Sequence, residues 1–192
     1  VGAGSGDGES ESRVALPVLR QRSRDLCRNN GFGVHAQMVI MNMVVGTGVM
    51  PLMKSRSKRR AEKARVVFER LLEETTELDI LGEETLIGLQ HQIAAAVMES
   101  GEVFVRRIWL KNGERVDGRM PFQLQVLEPD WLCEYKDTVT KQADGTEIRG
   151  GIEYDTVGRK VAYHFYKTHP TSSISTTLDT VRVMASEVLH VM

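Results

Sequence analysis

Along residues 121–170 apolar side chains recur at every second position. Phe122, Leu124 and Val126 alternate with Gln123 and Gln125, Ile148, Ile152 and Tyr154 keep the same rhythm, and so do Val161, Tyr163 and Phe165. Successive side chains of an extended chain point to opposite faces, so this pattern predicts strands with one buried and one solvated face. Asp144-Gly145 and residues 155–158 punctuate the run as turns, where glycine takes positive φ without steric cost. The reading is an antiparallel meander. A strand over residues 102–110, a hairpin turn at Asn112-Gly113 and short strands over 181–184 and 188–192 belong with it, around a polar Ser/Thr loop at 171–180.

Before residue 102 the period is helical. Leu19 and Leu26 lie opposite Arg20, Arg22, Arg24 and Arg28, a basic amphipathic helix over 16–28 that Asn29-Asn30-Gly31 ends. Residues 34–45 are apolar nearly all round, which predicts a buried helix. Gly46-Thr47-Gly48 and Pro51 stop it, and Met38, Met41, Met43, Met50 and Met53 read as gap-filling core residues. Ala64, Val67, Phe68 and Leu71 share one face of a third helix. After a break at 79–82, a fourth over 83–99 carries Leu86, Leu89, Ile93 and Val97 in one stripe, with acids in its first turn and Gly101 as a left-handed cap. The fold class is therefore α+β, N-terminal helices followed by an antiparallel β meander. Its expected organisation is a flexible tail at 1–12, a helical region at 13–101 and a β-rich region at 102–192.

Charge changes this picture more than composition does. The 192 residues are 41% hydrophobic and 27% charged, ordinary values for one domain with a core of its own. The net charge of −1 conceals a strong polarity. Residues 13–70 hold thirteen Lys and Arg against three acids, whereas residues 71–101 hold seven acids and no base. Seven of those bases, Lys54, Arg56, Lys58, Arg59, Arg60, Lys63 and Arg65, crowd into residues 54–65, and the acids include Glu73, Glu74 and Glu77. A polyanion such as nucleic acid is one partner for the basic run. A solvated helix start, or pairing with the acids that follow, is the plainer reading of a charge run. No aromatic precedes Phe68 in this run, so a base-stacking platform is unsupported.

Chemistry-bearing residues are sparse. Cys27 and Cys133 stand far apart and outside any CxxC motif, which suits two buried thiols in a reducing compartment. His164, His169 and His190 are the only candidate metal set, and none of their spacings matches a recognised ligand motif. A metal-dependent hydrolase built on them is the weakest of three readings. Glu128 and Asp130 flank Pro129, where turn stabilisation explains an acid as well as catalysis does. With no nucleophile elbow, phosphate loop or kinase-type glycine loop, the residues argue for no enzyme and no cofactor. The longest apolar stretch, 34–53, is interrupted by Gln37, Asn42, Gly46, Gly48 and Pro51 and is too broken for a membrane span.

Six segments occur in an order that resembles one family. They are LRQRSRDLCRNN from Leu19, MNMVVGTGVMP ending at Pro51, SGEVFVRR from Ser100, LQVLEPDWL from Leu124, IRGGIEYDTVGRKVAYHFYKTHP from Ile148, and ASEVLHVM at the end. Together they resemble the N-terminal, wing-like part of lambda-type phage portal proteins, and Asp79-Ile80-Leu81-Gly82 is similar to the family's D-x-x-G spacing. The resemblance implies a non-enzymatic subunit of a homo-oligomeric ring, typically of twelve copies, at one vertex of a phage head. It implies a conduit for double-stranded DNA, nucleation of capsid assembly, and docking of the packaging terminase and then of tail connector proteins. The implied location is the virion, and the bacterial host cytoplasm during assembly. Departures are a tryptophan-bearing helix replaced here by residues 66–72, the strongly basic 54–65, and stem, clip and channel-lining parts that would lie after Met192. The chain is thus expected to be an N-terminal fragment. In a ring, the basic and acidic segments are expected to meet between neighbours, with Arg59, Arg60 and Lys63 opposite Glu73, Glu74 and Glu77. A nucleic-acid-binding module using residues 54–65 is the alternative.

Overall fold

In the computed structural model, which describes residues 8–52, 54–111, 120–138, 145–170 and 179–192, helices come first and antiparallel strands after. Helix α1 spans Gly8–Asn29, α2 Gly31–Val44, α3 Lys58–Glu73 and α4 Leu86–Ser100. The first begins earlier than its apolar period suggests and takes in residues 8–12 of the expected tail. Between α1 and α2 only Asn30 intervenes. Its side chain accepts from the amides of Phe32 and Gly33 at 2.9 and 3.3 Å, so the residue that ends one helix caps the next. Helix α4 is capped by the Thr85 hydroxyl and closed by Gly101 at φ 84°, in the left-handed region expected of it. Glu83 and Glu84 precede this cap, so the acids expected in the first turn of α4 lie in the loop before it.

The strands are β1 (Val103–Trp109), β2 (Phe122–Leu127), β3 (Glu147–Arg149), β4 (Ile152–Tyr154), β5 (Lys160–Tyr166), β6 (Thr180–Met184) and β7 (Val188–Val191). They form two sheets rather than one meander. The first has the order β2-β1-β7 and the second β3-β4-β5-β6, antiparallel throughout. Only the second is a meander in chain order. Strand β7 returns from the far end to pair with β1, placing Val103 opposite Val191 and Arg106 opposite Val188. The turns expected at 112–113 and 144–145, and most of the loop at 171–180, fall wholly or partly outside the described residues.

The core lies where the two sheets meet. Phe104, Leu127 and Val188 from the first cluster with Tyr163, Phe165 and Val183 from the second, and Leu132 joins them. The Phe104 ring meets Phe165 edge-on at 5.3 Å and Tyr163 at 5.6 Å, an arrangement aromatic quadrupoles favour. Burial pushes the Tyr163 hydroxyl up to about 12, so it stays protonated. Residues Ala162 to Tyr166 of β5 are all buried, which corrects the expectation of one wet face. His164 does lie opposite Tyr163 and Phe165, but Glu153 of β4 and Arg182 of β6 flank it on that side, and the Cys133 amide pairs along β5 by donating to the His164 carbonyl at 2.9 Å. There Glu153 takes Arg182 through two hydrogen bonds of 2.7 and 2.8 Å, and that pairing holds its carboxyl below the usual range.

Helix α1 is fastened to the sheets by charge. Arg20, nearly fully buried, reaches Glu102 at the start of β1 and Glu134 after β2. Arg24 pairs with Asp130 at 2.5 Å and bonds Ser100 Oγ at 3.0 Å, and Arg28 pairs with Glu99 at 2.9 Å. His190 of β7 meets Glu102 from the other side at 2.6 Å. Burial works to raise the Glu102 carboxyl, but the hydrogen bond from His190 and the Arg20 charge outweigh it and hold it low. Arg20, Arg24 and Arg28 of α1 are thus neutralised within the chain, mostly by acids of the β-rich half.

Candidate subunit interface

Helix α2 is apolar nearly all round, as its sequence says, yet no residue of it is buried. Phe32 is 89% exposed and Met43 82%, and Met38, Val39, Ile40 and Val44 are exposed as well. This overturns the buried helix expected at 34–45, and Met38, Met43 and Met50 do not fill a core. The reason lies in how α2 is held. Polar tethers bind it and the segment after it to α4: Gln37 to Glu99 at 2.8 Å, the His91 ring to the Gly46 carbonyl at 3.1 Å, and Gln90 to both backbone groups of Val49. Nothing described covers the outward side. Val49, Met50 and Leu52, the last 77% exposed, continue this surface toward α3. Soluble monomers rarely leave so much contiguous apolar surface to water, and such surfaces mark contact sites.

Between residues 50–52 and α3 runs a groove of about 610 Å³, lined by Met50, Pro51, Leu52, Phe68 and Leu72. Lys58 shares that lining, as do Glu62 and Glu69 with the Arg65 they hold. Helix α3 is 16 residues long, roughly 24 Å at the α-helical rise. Its charges oppose its dipole: Lys58, Arg59 and Arg60 occupy the positive N-terminal end, while Glu73 and Glu74 close the negative C-terminal end. The Ser57 side chain makes no capping bond. Each mismatched charge costs about 0.3–1 kcal/mol where it is exposed, so α3 gains by meeting outside charges of the opposite signs.

Of the candidate interaction residues, Lys54, Arg56, Lys58, Arg59, Arg60 and Lys63 are exposed and make no ion pair among the described residues. Arg65 differs, because Glu62 and Glu69 of its own helix hold it. Glu73 and Glu74 are exposed, but Glu77 is 1% exposed, pairs with Arg70 and accepts from the Met120 amide at 3.3 Å. It fastens the chain internally and is withdrawn as a surface contact.

Sequence reasoning missed the loop that follows. Leu78 and Ile80 bond across Leu124 of β2 at 2.7 and 3.0 Å, adding a parallel bridge at Asp79. The buried Asp79 carboxylate accepts from the amides of Leu81, Glu83 and Glu84 at 3.3, 3.0 and 3.2 Å, and Gly82 takes φ 72°. That fixed loop presents Leu81, 71% exposed, followed by the exposed Glu83 and Glu84. Behind it, a cleft of about 490 Å³ carries Asp79, Glu83, Glu84, Glu99 and Glu128. The only sequence signal was the D-x-x-G spacing.

The three histidines are not brought together. His164 sits beside Glu153, His190 beside Glu102, and His169 edge-on to Trp131 at 5.4 Å. Among the described residues no group of His, Cys, Asp and Glu could hold a metal ion. Cys27 is buried, whereas Cys133 is only half-buried, and both are free thiols. No helix among the described residues is long and apolar enough to cross a membrane.

The family model described as "Phage portal protein, lambda family" matches residues 1–192. The chain belongs to that family. A relative named "Probable portal protein", from Halomonas phage phiHAP-1, is 26% identical over 164 residues, which is 80% of this chain and 29% of that protein. The chain therefore spans less than a third of this relative's length.

Proposed function

We propose that the chain forms the outer, wing-like part of a subunit of a phage head portal ring. The observation that carries this reading is the uncovered apolar band formed by α2 and residues 49–52, flanked by the oppositely charged ends of α3. A ring subunit meets its neighbours through two different flanks, and complementary charge on those flanks sets register and orientation. In this role the protein is non-enzymatic. The ring serves as a conduit for double-stranded DNA, takes part in capsid assembly, and docks the packaging terminase and later the tail connector. It resides in the virion, after assembly in the bacterial host cytoplasm. Native mass spectrometry is expected to find a closed homo-oligomer of one definite size, about twelve copies by the family resemblance. A monomer at micromolar concentration contradicts the proposal. Reversing Arg59, Arg60 and Lys63 together is expected to weaken assembly, and reversing Glu73 and Glu74 in the same protein to restore part of it.

A second reading is favoured by the six exposed cations at 54–63, which no described carboxylate neutralises. As a nucleic-acid contact they would give binding to duplex DNA whose log K falls steeply with log salt, because neutralised phosphates release counterions. Binding that is undetectable or insensitive to salt removes this reading.

A further inference from the structure

We infer that the loop at residues 79–84 of one subunit seats Leu81 in the groove between residues 50–52 and α3 of a second copy of the same chain. The inference rests on the ring reading and names the contact that would make it. Leu81 is a large apolar side chain held out in solvent by a loop with little freedom to withdraw it. The Asp79 carboxylate accepts from three amides of the loop, Gly82 holds a positive φ, and the Leu78 and Ile80 bonds anchor its base to β2. A preordered protrusion loses little conformational freedom on docking, which is the advantage of a rigid anchor residue.

The groove matches it in chemistry. Its floor is Met50, Leu52, Phe68 and Leu72, adaptable and apolar, and Leu81 is not among the described residues lining it within its own chain. The charges match as well. Glu83 and Glu84, two and three residues beyond Leu81, are exposed and without an ion pair among the described residues. Lys58 of the groove lining, with Lys54 and Arg59 near it in the chain, is in the same condition, whereas Glu62 and Glu69 of that lining are taken up by Arg65. Protrusion and groove are different surfaces, so the contact is head-to-tail and each copy uses both. A second copy is the occupant because one chain carries both members of a matched pair, apolar with apolar and acid with base.

The test is association of the protein, followed by native mass spectrometry and sedimentation. Leu81→Ser, and separately Leu52→Asp, each lower the association constant at least tenfold while leaving the far-ultraviolet circular dichroism unchanged, since both side chains are exposed. Glu83→Lys with Glu84→Lys weakens assembly, and adding Lys58→Glu and Arg59→Glu restores it. Under oxidation, Leu81→Cys mixed with Leu52→Cys gives covalent dimers that neither variant gives alone. Normal assembly of Leu81→Ser, or no cross-link in the mixture, overturns this contact and leaves the ring reading standing. Wild-type protein that stays monomeric overturns both.

Discussion

Strand β5 and helix α2 both carry dense apolar runs, yet β5 is buried on both faces and α2 has no buried residue. The difference is what the rest of the chain lays over them. Glu153 and Arg182 of the neighbouring strands flank His164 on the outer side of β5, and the first sheet supplies Phe104 and Val188 to its inner side. Helix α2 rests on α1 and is tied by polar bonds to α4, and its remaining side is exposed. Apolar residues in the first region stabilise the fold. In the second they are available to another molecule. Substitutions should therefore separate into those that unfold the protein and those that leave it folded but alter its association.

The sharpest way to break this contrast is Phe104→Ala. Truncating a fully buried ring that contacts Phe165, Tyr163 and His190 is expected to cost about 3–5 kcal/mol, read as a lower urea midpoint. A loss under about 1 kcal/mol would mean the sheets do not share that core. Next is Arg20→Ala, which strands the Glu134 carboxylate and leaves Glu102 to His190 alone at the junction of helices and sheets. About 3 kcal/mol is expected by the same measurement, from two half-buried charges left without that arginine.

Gly151→Ala follows. At φ 77° a Cβ would stand 2.6 Å from the Cys133 carbonyl oxygen, so about 1–3 kcal/mol is expected as Cys133 is forced away from Gly151. The Glu102 carboxyl gives a pH test of the same junction. Its folded pKa is depressed, so its contribution is present above the unfolded value of roughly 4.3 and is lost as pH falls through the lower folded value. Glu102→Gln should flatten the acid side of the stability curve, and an unchanged acid limb would take Glu102 out of the account. Smallest is Phe32→Ser on α2, expected to shift folding stability by no more than about 0.5 kcal/mol while altering oligomerisation.

What could be read from the sequence was what neighbouring residues decide together. The stop of α1 at Asn29-Asn30-Gly31, Gly101 as a left-handed terminator, the order of helices before strands and the apolar alternation in β5 depend on a few consecutive positions. Whether a face is covered depends on segments far away. That is why the apolar period of α2 suggested burial, and why the face of β5 bearing His164 was expected to be wet. The division into two sheets was hidden for the same reason, since β2 and β5 alternate alike and only their pairing separates them. Glu73, Glu74 and Glu77 looked like one acidic patch, but the chain turns inward after Glu74 and carries Glu77 to Arg70. The exposed loop at Leu81 left almost no periodic signal, being ordered by one carboxylate rather than by a repeating pattern.

The return of β7 to the side of β1 bears on the order in which the molecule can be completed during synthesis. As the chain leaves the ribosome, β3 to β6 can zip together as each strand emerges, since every partner is its predecessor. Strand β1, made long before, must wait with one bare edge until β7 emerges. A nascent chain stalled after β6 would therefore hold an open edge beside an unfinished core, the form most exposed to wrong pairings with its siblings on the same message.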